Sequence, residues 1–383
     1  MTNTPETHKK KDRSLLILFS IIVLDLIGFG VVVPILPFYV QQFGSTASTL
    51  GIMVACYSAM QFIFSPIWGK LSDKYGRKNI LVFTIAGTCI GLTLTGKATS
   101  LAMLFAGRIL SGIFAANISV ASAYVTDVTD HEDRAKGMGM IGAAFGIGFL
   151  LGPALGGALS HYGYSIPILA AACLSALNLI YTSLRLKEPA RHAHVENKIK
   201  TSVLSHKPVL TMCLTNLIFT LGVSQLESVF AFLMSDKFHY DAMHVAYILA
   251  MMALIMAGIQ GGMIKQLAQK FGERMLLLMG TLMLVVAFFM IPHSDNVAFL
   301  LVPLAIASAG RAISQPSLMS LVSKKAHQDH QQGAVMGVFQ ASASLGRVFG
   351  PFMAGFLYDY YHPAPFYLAA TLIGTVFLLT INS

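Results

Sequence analysis

GKLSDKYGRK, residues 69–78, returns 196 positions later as KQLAQKFGER, residues 265–274. Three further segments recur in the same order. AGRILSG (106–112) matches AGRAISQ (309–315), HEDRAKG (131–137) matches HQDHQQG (327–333), and LGPALGG (151–157) matches FGPFMAG (349–355). Four ordered matches at offsets of 196 to 203 are hard to obtain by chance, so the chain is read as a duplicated unit. Duplicated halves enclosing a shared cavity are an architecture of secondary transporters.

Between the repeats the chain is apolar. It has 383 residues, of which 55% are hydrophobic and 11% charged, with a mean hydropathy of +0.68. A soluble domain carries about a quarter charged residues, so the composition points to an integral membrane protein and excludes disorder. The apolar stretches are continuous runs, not ten-residue alternations, which argues against a β-barrel. Twelve helical spans are expected at about 14–38, 50–68, 80–96, 101–125, 136–159, 165–184, 209–234, 242–264, 275–291, 297–322, 333–357 and 365–382. The fold class is therefore an all-α membrane protein of two six-helix repeats. The expected layout is a terminal segment 1–13, a bundle 14–184, a linker 185–208 and a second bundle 209–383.

Alternate loops, starting with the N-terminus, carry 21 of the 26 lysines and arginines; the opposite loops carry Lys97 and Lys237. Both termini are accordingly expected on the cytoplasmic side of a bacterial cytoplasmic membrane. This clustering between spans also accounts for the net charge of +9 without nucleic acid. The opening MTNTPETHKKKDR is polar and basic, and no cleavable signal is expected before the first span. Cys56, Cys89, Cys173 and Cys213 lie inside apolar runs and read as small hydrophobes. His192 and His194 in the linker lack further ligands at metal spacing, so no metal or cofactor is expected. The expected energy source is a proton gradient. The expected partners are membrane lipid and a small-molecule substrate, bound to a monomer.

GKLSDKYGRK resembles the loop 2–3 signature of the major facilitator superfamily. GRILSG in span 4 and GIGFLLGPALGG in span 5 resemble two further signatures, the second typical of its antiporters. LDLIGFGVVVPILP (24–37) resembles span 1 of the drug:proton antiporter branch, which includes tetracycline and multidrug exporters. The resemblance covers essentially the whole chain. It implies a conformational latch of Gly69, Asp73, Gly76, Arg77 and Asp127. In that latch Asp73 would face the N-terminal end of span 11, and Arg77 would pair with Asp127 at the end of span 4. It also implies an antiporter motif at Gly148, Gly152, Pro153, Gly156 and Gly157, whose small faces allow close helix packing. Gln269 stands where the first repeat has Asp73, so the latch should be asymmetric.

Five ionisable residues lie away from the span ends: Asp25, Arg108, Glu227, Arg311 and Arg347. Each is expensive in a membrane and marks a proton or substrate site by default. Asp25, about 17 Å into its helix, suits proton binding and release, with Arg108 as the neighbour that could modulate it. Glu227 is the second carboxylate. A structural ion pair with one of the arginines is the alternative for either acid. Two arginines against one acid in the second half favour an anionic or zwitterionic substrate. Spans 3, 9 and 10 contain no acid, whereas tetracycline exporters have intramembrane acids in helices 3 and 9. This argues against a tetracycline–metal substrate. The expected function is a proton-coupled antiporter exporting small amphipathic molecules. The alternatives are a transporter of an anionic or zwitterionic metabolite or siderophore, in export or import, and, remotely, a non-transporting membrane sensor. No HExxH, GxSxG or P-loop signature is present, so an enzyme is not expected.

Overall fold

The computed structural model describes residues 5–115, 117–129, 131–189, 207–328 and 332–382. The described residues form helices and short turns. The helices are α1 (Pro5–Gln41), α2 (Ala47–Tyr75), α3 (Arg77–Gly96), α4 (Leu101–Phe114), α5 (Asn117–Val128), α6 (His131–Leu159) and α7 (Ser165–Arg185). In the second half they are α8 (Lys207–Phe238), α9 (Ala242–Gly258), α10 (Ile264–Met290), α11 (Val297–Gln328), α12 (Gln332–Tyr360) and α13 (Ala364–Asn382). Ten helical stretches are long and apolar enough to cross a membrane. One of them, Ala242–His293, has 52 residues and can cross twice; α12, which carries Arg347, is not among the ten and covers the expected eleventh span.

Several helices outrun the apolar spans. Bilayer thickness limits the apolar stretch, not the helix. The fourth span is broken at Ala115 (φ −74°, ψ 49°), which separates α4 from α5. The eighth span ends in a π-helical turn at Ile259–Met263, and α10 is kinked at Gly272. The linker residues 190–206, with His192 and His194, lie outside the described residues.

Two compact units are present. The first comprises Met1–Phe43, Cys56–Val195 and Ala242–Ala250; the second comprises Gly44–Ala55, Glu196–Asp241 and Met251–Ser383. Most of each unit follows the repeat boundary. The first turns of α2 and of α9 do not: each clusters with helices of the opposite repeat.

The same pairings build both units. In the first, α1 packs on α6 and α7, and α3 on α4 and α7. In the second, α8 packs on α12 and α13, and α10 on α11 and α13. Lipid supplies no hydrophobic drive between helices, so close backbone approach and van der Waals packing must hold them. A Cβ at Gly152 would lie 2.6 Å from Gly30 Cα, and one at Gly156 would lie 2.6 Å from the Val31 carbonyl oxygen. Gly148 meets Leu26 in the same way. The equivalent α12 glycines, Gly346 and Gly350, seat against Thr220 and Ser224 of α8. Gly91 and Gly107 bring α3 onto α4 beside Ser111; Gly280 and Gly310 bring α10 onto α11 beside Ser314.

Candidate functional site

The intramembrane charges fall into one cluster per unit. In the first unit Asp25 of α1 meets α5, not α4. Asn117 Nδ2 donates to Asp25 Oδ1 at 2.8 Å, and Asn117 Oδ1 lies 2.6 Å from Thr84 Oγ1. Thr84 thus occupies the amide oxygen and leaves the amide nitrogen to face the carboxylate. Asn117 and Thr84 are buried. Arg108 is only 5% exposed, and its guanidinium carbon sits 4.2 Å from the centroid of the Tyr57 ring. This cation–π contact stabilises a charge in an apolar setting. Arg108 Nε is buried with no hydrogen-bond partner among the described residues. Among the described residues Arg108 is not within ion-pair distance of Asp25: Asn117 neighbours Asp25, and Tyr57 neighbours Arg108. Tyr57 also packs toward Phe29, with ring centroids 6.0 Å apart.

In the second unit Arg311 Nη1 of α11 donates to Glu227 Oε1 of α8 in a short ion pair. The Glu227 side chain is 49% exposed and that of Arg311 is 30% exposed. Arg347 of α12 donates to Ser344 Oγ at 3.4 Å and has no carboxylate within ion-pair distance among the described residues. Of the two readings of Glu227, a proton site or an ion-pair partner, the geometry supplies the ion pair.

The repeated loops bring a third group together. Arg77 Nε donates to Asp127 Oδ2 at 2.7 Å, and Arg77 Nη2 lies 2.5 Å from Asp73 Oδ1. Arg77 and Asp127 are almost fully buried, whereas Asp73 is exposed. The expected Arg77–Asp127 pair is present. Asp73 was expected to face the N-terminal end of span 11, whose first side chains, through 334, lie outside the described residues.

Glu188, just beyond α7, is a partner that the motif does not announce. Its carboxylate accepts from the backbone N–H groups of Arg77 at 2.5 Å and Lys78 at 3.0 Å, capping the N-terminus of α3. Free N–H groups at a helix start favour an anion. Gly76 at the cap has φ 100°, and a Cβ there would lie 2.8 Å from the Glu188 carboxyl carbon, so the position requires glycine. Gly69 packs loosely against Ser119.

The second repeat preserves this loop with inverted charge. Glu273 stands at the place of Arg77, and Lys324 lies one residue after Ser323, the counterpart of Asp127; Glu273 and Lys324 form a short ion pair. Hydrogen bonding from Lys324 holds the Glu273 carboxyl below its usual range. Ser320 Oγ also donates to Glu273, at 3.2 Å. Gly272 repeats the left-handed backbone of Gly76, with φ 76°.

The span 5 motif serves two neighbours. Gly148, Gly152 and Gly156 of α6 face α1, as does Pro153, whose Cδ is near Gly30. Gly157 faces the first turns of α9 at Met243 and Ala246. In the second unit Gly355 faces the first turn of α2 at Ala47 and Ser48. Asp359 of α12 caps that turn, accepting from Ala47 N at 3.1 Å and Ser48 N at 2.9 Å and from the Ser48 hydroxyl. A carboxylate at or just beyond a helix end is an ordinary sequence feature, so neither Asp359 nor Glu188 carries a signal without the fold.

Among the described residues no group of three or more His, Cys, Asp or Glu side chains could hold a metal ion. The model of the Major Facilitator Superfamily matches residues 18–332 and 266–382. Multidrug resistance protein 1 of Bacillus subtilis (strain 168) is 31% identical over 383 residues, which cover 97% of each chain. The class H tetracycline resistance protein of Pasteurella multocida is 30% identical over 361 residues, covering 91% of this chain and 90% of that one. Among solved structures, a human organic anion transporter superposes with a TM-score of 0.72 at 23% identity, covering 97% of this chain and 99% of that one. The nucleoside transporter NupG superposes with a TM-score of 0.77 at 13% identity, covering 96% and 97%. With its duplicated helices, buried charges and full-length match, the chain belongs to the major facilitator superfamily and is a multi-pass membrane transporter.

Proposed function

We propose that the chain is a proton-coupled antiporter that exports small amphipathic molecules by alternating access. The carrying observation is Asp25, a carboxylate inside a membrane span whose described hydrogen-bond partner is the neutral amide of Asn117. A carboxylate locked to arginine keeps its charge. One held by an amide can gain and lose a proton without stranding a buried cation. The relatives named for tetracycline and multidrug resistance support an exported amphipathic drug as the substrate class. The proton gradient supplies the work, and the chain acts as a monomer with no bound cofactor. The distribution of positive residues supports cytoplasmic termini in a bacterial cytoplasmic membrane.

The test is transport by purified protein in liposomes. An imposed pH gradient should drive accumulation of ethidium against its own gradient, and collapsing the pH gradient should stop it. Accumulation at the same rate without a pH gradient removes the proton from the cycle.

A further inference from the structure

We infer that Arg347 forms an anion subsite, and that the transported amphipaths include molecules carrying a single sulfonate or carboxylate. The inference rests on reading the chain as an amphipath exporter and specifies the charge of what it binds.

Within the expected spans of the second unit, away from their ends, lie three charged residues, Glu227, Arg311 and Arg347. Glu227 and Arg311 are joined in an ion pair and cancel one another. Arg347 remains. It lies near the midpoint of α12, is exposed, and among the described residues donates a hydrogen bond to the hydroxyl of Ser344. Gln340, Ser344 and Arg347 share one face of α12 at helical spacing, and the Ser344 hydroxyl in turn donates to the Gln340 carbonyl at 3.1 Å. A polar row of this kind in the middle of a membrane helix belongs beside water or ligand, not beside lipid. Arg347 also lies within electrostatic reach of both Glu227 and Arg311, so the three form one group with an excess of one positive charge. An uncompensated cation at mid-span is costly, and a ligand anion removes the cost. The planar guanidinium fork matches a carboxylate or sulfonate with two parallel hydrogen bonds. The Glu227 carboxylate, half exposed beside it, repels a second negative charge and limits the ligand to one.

The experiment compares two probes of equal shape, naphthalene-2-sulfonate and the neutral naphthalene-2-sulfonamide. Binding is measured by calorimetry on the full chain in lipid nanodiscs, with empty nanodiscs subtracted. Wild-type protein should bind the sulfonate at least tenfold more tightly. In Arg347→Gln the two probes should bind within about twofold of each other, with sulfonamide affinity unchanged. Arg347→Lys should keep part of the preference, because it keeps the charge and loses the fork. Equal affinity of the two probes for wild-type protein overturns the inference, even if Arg347→Gln fails to fold. So does a preference that survives in folded Arg347→Gln. Ethidium accumulation under a pH gradient is read separately. Its presence without sulfonate preference leaves proton-coupled export standing and removes only the subsite. Sulfonate preference without gradient-driven transport does the reverse.

Discussion

Asp25 and Arg108 show how far depth counting reaches at single residues. Asp25 lies sixteen positions before Gln41, the end of α1, and Asn117 lies sixteen after Leu101, the start of α4. In antiparallel crossings those two meet at one level. Arg108 lies on α4, nine residues before Asn117 and on the far side of the break at Ala115, where it meets Tyr57. The acid was legible because a charge in an apolar run stands out. Its partner was not, because an asparagine among small residues carries no such contrast. Two outcomes follow. Asp25→Asn should abolish pH-driven accumulation in proteoliposomes while substrate exchange continues, and Asp25→Glu should retain part of the activity. Wild-type accumulation by Asp25→Asn would move the coupling site elsewhere. Asn117→Leu removes a hydrogen bond to a charged group, an interaction of about 1.5–3 kcal/mol. It should lower gradient-driven accumulation by about tenfold in folded protein. Arg108→Gln, acting through Tyr57, should leave the Asp25→Glu phenotype unchanged when combined with it.

At the scale of elements, the two repeated loops keep their backbone and exchange their charges. Gly76 and Gly272 both adopt positive φ, and each is followed by an ion-pairing residue that reaches the end of the second span beyond it. The geometry was legible from the repeat, because left-handed backbone restricts the residue to glycine. The inversion was not, since the Lys324 position carries no motif. Burial separates the two pairs. Arg77 and Asp127 are buried, so removing one partner strands a charge, at a cost of about 3–5 kcal/mol. Lys324 is 65% exposed, and pairs of that kind contribute about 0–1 kcal/mol. Arg77→Ala should therefore lower the unfolding temperature of the purified protein clearly, while Lys324→Ala should leave it within a degree or two. The double variant Arg77→Glu with Asp127→Lys, which copies the second loop, should recover stability lost by Arg77→Glu alone. Similar losses for Arg77→Ala and Lys324→Ala would contradict the burial argument.

For the whole molecule, duplication predicts more than the number of helices. It predicts that each pairing in one unit has a counterpart in the other, as α1 on α6 has in α8 on α12. It does not predict that the first turns of α2 and α9 cluster away from the rest of their own helices. That depends on Gly355 and Gly157, whose missing side chains admit those turns, and a glycine motif does not say which neighbour each glycine admits. Sidedness is a separate question, because helix packing is indifferent to which end faces the cytoplasm. The positive residues decide it: loops held inside are rich in lysine and arginine because translocating them is unfavourable. Single cysteines at Ser45, between α1 and α2, and at Asp295, between α10 and α11, should then react with a membrane-impermeant maleimide in intact cells. A cysteine at Lys74, exposed at the end of α2, should react only after the membrane is opened. The native Cys56, Cys89, Cys173 and Cys213 would first be replaced by alanine or serine. Labelling of position 74 from outside, with silence at 45 and 295, would invert the topology and place the Arg77–Asp127 pair on the opposite face of the membrane from the one proposed.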